Sequence, residues 1–205
     1  MVVNLSLLLL IGMGPKIALV PFLEKTKGFD AERQREVGTK MVKTAVVTAL
    51  VLYASGALLM RLLHISGGAV SIAGGIVLAL LALKMALGPG EEKEADSESP
   101  IDHHQIAIYP LAIPYLLNPA GIAVILIASS KVDSFLVGGV VAAIILAVGA
   151  IDLLVFRNID KISKRLNPTT LIISEVVFGI LLTALAVELT VSGLASLGII
   201  EAVHH

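Results

Sequence analysis

Six stretches of this chain, at roughly 4–23, 42–63, 66–88, 106–129, 134–156 and 169–197, are apolar and near the length of a membrane span. A helix needs about 20 such residues to cross about 30 Å of hydrocarbon. Inside a bilayer no water is at hand for unpaired backbone groups, so runs of this length are confined to helices. Composition agrees with that solvent. Hydrophobic residues make up 57% of the 205-residue chain and charged residues 15%, with a mean hydropathy of +0.95, against roughly 25% charged residues in a soluble domain. The first run lacks a basic leader and a small-residue cleavage site, so it is expected to be a retained span rather than a signal peptide. There is no cysteine, which excludes disulfides, thiolate metal sites and thiol redox relays. A net charge of −1, with no basic stripe interleaved with aromatics, gives no reason to expect a nucleic-acid partner.

The segments between the spans are short, and no appended soluble domain is expected. Residues 24–43 are charged and amphipathic, which predicts a short interfacial helix; residues 157–168 are basic, and 131–134 make only a turn. The expected organisation is a single transmembrane domain over 1–205, with a first repeat at 1–88, an acidic cytoplasmic loop at 89–104 and a second repeat at 105–205. Twelve of the fifteen Lys and Arg residues fall on the face that carries loops one-two, three-four and five-six. The excess of positive charge predicts that this face is cytoplasmic and that both termini lie outside, in a plasma (inner) membrane.

Gly14-Pro15 in span one and Asn118-Pro119 in span four are 104 residues apart, and the same offset carries Gly75 onto Gly179 and Ser71 onto Glu175. Each half then holds three spans, an odd number, so the second half enters the membrane in the opposite sense. The fold expected is an all-α membrane protein of six transmembrane helices in two inverted three-helix repeats, with helices one and four broken. A proline inside a helix removes one donor and clashes with the preceding turn. In lipid, such irregular backbone survives only against protein or a water-filled cavity. Paired breaks near the midplane would offer half-helix N-termini to anions and unwound carbonyls to cations. An amino acid zwitterion presents one of each. The plainer reading is that these prolines merely kink their helices.

Charges within the spans come next. Intramembrane charges cost at least about 2.5–3.5 kcal/mol on insertion scales and tend to face the interior in pairs. Lys16 sits beside the first break, where it either holds a substrate carboxylate or forms a structural pair with Glu175 or Asp152. Glu175 and Asp152, near the cytoplasmic ends of spans six and five, are the candidates for ion coupling, and Glu188 lies toward the outer half of span six. Asn118 offers a carbonyl and an amide to a small polar ligand, or caps the half-helix that follows it. Pro119 and Gly121 belong to the same break, and Tyr115 and Ser71 are expected to line the cavity. Ser66-Gly67-Gly68 and Gly74-Gly75 read as close-packing surfaces between helices. His103 and His104 read as solvated, so no metal site and no cofactor are expected.

The segments AERQREVGTKMVKTAVV, SIAGGIVLALLALKMALG and YPLAIPYLLNPAGIAVILIASS resemble the MarC family of integral membrane proteins. The resemblance extends to the wider LysE-type exporters. It implies six spans in two inverted halves and, for some members, transport of small neutral amino acids. Where the family shows Asp-Pro or Asn-Pro in span one, this chain reads Gly14-Pro15-Lys16. No nucleotide-binding loop, hydrolytic triad or dinucleotide fingerprint occurs, so neither an enzyme nor an ATP-driven pump is expected. The function expected is secondary transport of small neutral amino acids by alternating access, coupled to protons or sodium. Export of another solute or of a cation, or a scaffold without transport, are the alternatives. Expected partners are a zwitterionic substrate and membrane lipid, with a homo-oligomer left open.

Overall fold

The computed structural model describes residues 2–87, 103–130, 135–163 and 168–201. The chain order is α1 (Val2–Met13), α2 (Pro15–Lys25), α3 (Ala31–Leu62), α4 (Gly67–Ala86), α5 (His103–Ile106), an irregular segment (Ala107–Leu116), α6 (Pro119–Ser130), α7 (Phe135–Arg157), α8 (Ile159–Ser163) and α9 (Pro168–Ser196). Among the described residues, five helical stretches are long and apolar enough to cross a membrane, counting 5–25 as one across its break at Gly14, and the bent pair formed by 103–116 and 119–130 makes a sixth. Each half therefore reads as one interrupted helix followed by two continuous ones. The acidic loop lies outside the described residues, apart from its last two positions, His103 and His104, and so does the turn expected at 131–134.

The interruptions differ in size. Span one is broken at a single residue, Gly14, in an extended conformation (φ −82°, ψ 164°), after which Pro15 starts α2. Proline suits that first position because its missing N–H would have no intrahelical partner there. Span four turns by 71°. Ahead of that turn, Tyr109 and Ile113 are extended, as expected of residues preceding Pro110 and Pro114.

The separate interfacial helix expected over 24–43 does not form. Asp30 caps the N-terminus of α3 by accepting from the Arg33 N–H at 2.8 Å, and the helix runs on to Leu62 without a proline to stop it. Its 32 residues measure about 48 Å at about 1.5 Å each. That exceeds the hydrocarbon thickness, so the charged first turns stand outside it.

Among the described residues, two clusters make the interior. The larger joins α1, α2, α3, the irregular segment and α7, with Phe22 against Phe156 at 4.9 Å. The smaller gathers Ile17, Leu78, Ala82, Met85, Ala120, Leu182 and Ala186. Among the described residues, the most extensive helix pairing is α4 with the antiparallel α9. Small residues spaced by seven, Gly68, Gly75 and Ala82, face Gly193, Ala186 and Gly179, so that a Cβ on any of these glycines would meet the opposing helix. In lipid there is no hydrophobic drive between helices, and close backbone approach is what holds such a pair. The glycines at 68, 74 and 75 are close-packing residues, as their composition suggested.

Candidate functional site

The two interruptions touch. Asn118 is fully buried, and it clasps the end of α1. Its backbone N–H donates to the Gly12 carbonyl at 2.9 Å, and its side-chain amide donates to the Ile11 carbonyl at 3.0 Å. Its side-chain oxygen accepts from the Gly121 N–H at 3.0 Å, the N-cap bond of α6. These three bonds make Asn118 a cap and a clasp. Next to it the backbones of Gly12 and Gly121 cross with no room for a side chain on either.

At the corresponding place in span one, a Cβ on Gly14 would strike the Leu10 carbonyl. That is why glycine stands where an Asn or Asp would have supplied a cap. The N-terminus of α2 consequently has no side-chain cap, and it carries the positive end of the helix dipole. It opens onto a cleft of about 790 Å³ lined by Gly14, Pro15 and Lys16, by Ile151 of α7, and by Phe178 and Glu188 of α9. The lining is otherwise aliphatic. Lys16 is exposed there and makes no ion pair or hydrogen bond among the described residues. Across the cleft, Glu188 accepts, among the described residues, only a long 3.5 Å bond from the Ser192 hydroxyl.

Several expected partnerships are not made. Asp152 is fully buried, and neither carboxylate oxygen has a partner, so it does not pair with Lys16. It lies on the face of α7 that carries Val148 and Phe156 into the larger core. The reason lies in direction: Lys16 projects into the cleft beside Ile151, while the next residue of α7 turns inward. Glu175 lies on α9, but its side chain is outside the described residues. Ser71 is buried in α4, Tyr115 packs against the larger core, and neither lines the cleft. His103 is half-buried with its ring edge-on to Phe29 at 4.5 Å, rather than solvated. Among the described residues no group of His, Cys, Asp or Glu is placed to hold a metal. Glu188 and the α9 wall were not among the expected site residues. An in-span carboxylate was their only sequence signal, because Phe178 reads like any core residue.

These features define a polytopic α-helical membrane protein with two helices interrupted and clasped at its centre and a polar-tipped apolar cleft beside them. The chain belongs to the MarC family of integral membrane proteins, whose pattern it matches over residues 1–197. It is 30% identical over 188 residues to a UPF0056 membrane protein of Methanocaldococcus jannaschii, covering 89% of this chain and 90% of that one. A UPF0056 membrane protein of Pyrococcus horikoshii is 27% identical over 179 residues, covering 87% of each. The UPF0056 inner membrane protein YhgN of Escherichia coli is 24% identical over 196 residues, covering 94% and 95%. No solved structure matches this chain.

Proposed function

We propose that this protein is a secondary transporter of small neutral amino acids, working by alternating access between two inverted halves. The observation that carries the reading is the bare N-terminus of α2 opening, with Lys16, onto a cleft whose far wall presents Glu188. A carboxylate is favoured by the helix end and the lysine, and an ammonium group by the glutamate. The aliphatic lining suits an uncharged side chain. A fixed cation at this place disfavours export of a metal cation along the same path. Asp152, the buried carboxyl without a partner, is the group best suited to couple the cycle to a proton or sodium ion. The positive-inside bias orients the chain in a plasma membrane with both termini outside.

Counterflow in proteoliposomes tests the reading. Liposomes loaded with an unlabelled neutral amino acid should take up the radiolabelled one saturably, and Lys16→Met should lower the apparent affinity at least about tenfold, the loss expected for one charge-assisted contact. Uptake no greater than in empty liposomes across a panel of neutral amino acids would overturn it.

A further inference from the structure

A second cavity lies on the opposite side of α7, where it meets the first turns of α3. It is an open cleft of about 560 Å³, whose charged lining is Arg35, Glu36, Lys40, Lys43 and Arg157, with Leu153 as its apolar floor. Four cations face one carboxylate. Arg35 is already engaged, donating to Asp160 at 2.8 Å. Lys40, Lys43 and Arg157 make no hydrogen bond or ion pair among the described residues.

Depth gives this cluster its meaning. No charge follows Lys43 in α3 until Arg61, and in α7 Arg157 closes a run whose only charge is the inward-facing Asp152. Lys43 and Arg157 therefore mark the edge of the hydrocarbon, and Lys40 stands three residues, about 4.5 Å, further out. Below them, exposed apolar side chains continue down both helices: Val47 (60% exposed) and Val51 (58%) in α3, and Leu154 (65%) in α7. A cationic cup at headgroup depth thus opens directly above an apolar track.

We infer that this cleft is a binding site for the headgroup of an anionic phospholipid, whose phosphodiester meets Lys40, Lys43 and Arg157 while an acyl chain lies along Val47 and Val51. The two non-bridging oxygens of a phosphodiester anion can accept hydrogen bonds from the three unengaged cations and offset part of their charge, and the tails cover apolar surface that a free phosphate would leave bare. A phosphocholine headgroup carries its own cation into the cup and is disfavoured by charge. Basic pockets between spans are the sites where membrane fields concentrate anionic lipid. The site is separate from the cleft at Lys16 and does not depend on the transport reading.

The test is lipid retention measured by native mass spectrometry, after the full-length protein is purified from detergent micelles doped with equimolar phosphatidylglycerol and phosphatidylcholine. The parent should keep phosphatidylglycerol over phosphatidylcholine by at least about tenfold. Lys43→Gln with Arg157→Gln should bring the ratio close to one. A control variant, Lys25→Gln with Lys27→Gln, removes as many cations from the same end of the molecule and should keep the parent's preference. No preference in the parent, or a preference equally lost in the control, overturns the site. Displacement of the retained lipid by millimolar inorganic phosphate would also overturn it, since it would identify a simple anion site.

Discussion

Gly121→Val is expected to prevent the two interrupted helices from meeting, and with that to remove the folded protein from the membrane. A side chain at Gly121 would collide with the carbonyl and Cα of Gly12, and one at Gly12 with the Cα and N of Gly121. Neither obstacle is a side chain that can rotate away. Overpacking a core costs about 1–3 kcal/mol where side chains yield; against backbone the loss should reach about 4 kcal/mol or more. The displacement also strains the bonds from Asn118 to Ile11 and Gly12, because they span the same crossing. Size-exclusion profiles and thermal melts in detergent read the effect. Gly139→Val supplies the contrast: nothing lies within 4 Å of a Cβ there, so its melting behaviour should stay within about 0.5 kcal/mol of the parent. A well-folded Gly121→Val protein would show that the crossing is not close-packed.

Asp152 is the second position at which a single change should have a large effect, and the effect should divide function from stability. Its side chain is fully buried and has no hydrogen-bond partner. Burying such a group without a partner costs about 1–3 kcal/mol, so Asp152→Leu, similar in width and without polar atoms, should raise thermal stability by that amount. Asp152→Asn keeps shape and removes the ionisable group. It should abolish accumulation driven by a proton or sodium gradient, while leaving counterflow exchange of the same amino acid intact. If Asp152 were a structural element, both substitutions would destabilise the protein and lower exchange and accumulation together. A gain in stability with loss of coupling is a combination that only a functional carboxyl gives.

How much of this was legible in the sequence varies with the range of the interaction. The spans could be placed because length and hydropathy are local properties, and the interruptions because Gly14-Pro15 and Asn118-Pro119 act on their own backbone. The capping role of Asn118 followed from its place before a proline. The extent of α3 did not: a charged amphipathic stretch looks like a separate surface helix, and only the absence of a stop after the Asp30 cap reveals one continuous element. Pairings between distant segments were harder still. Lys16 and Asp152 are both in-span charges of opposite sign, which suggests a pair, yet adjacent positions of α7 point one toward the cleft and the other into the core. The sevenfold spacing of small residues on α4 and α9 was present in the sequence, but its register emerges only when the two helices are set antiparallel. Phe178 and its neighbours on the cleft wall carry no signal at all in a chain this apolar.

Occupation of the cleft by an amino acid is the centre of the account, and the absence of native cysteine makes it directly measurable. Ala184 is small, exposed and lines the cleft, so Ala184→Cys introduces a lone thiol there with little disturbance. The rate of its alkylation by a charged, membrane-impermeant reagent, followed on purified protein, should fall saturably as a neutral amino acid is added. The same titration with Lys16→Met in the background should need at least about tenfold more amino acid for the same protection. An alkylation rate that is the same at every concentration of every neutral amino acid would contradict the account, because the cleft would then not be where substrate binds.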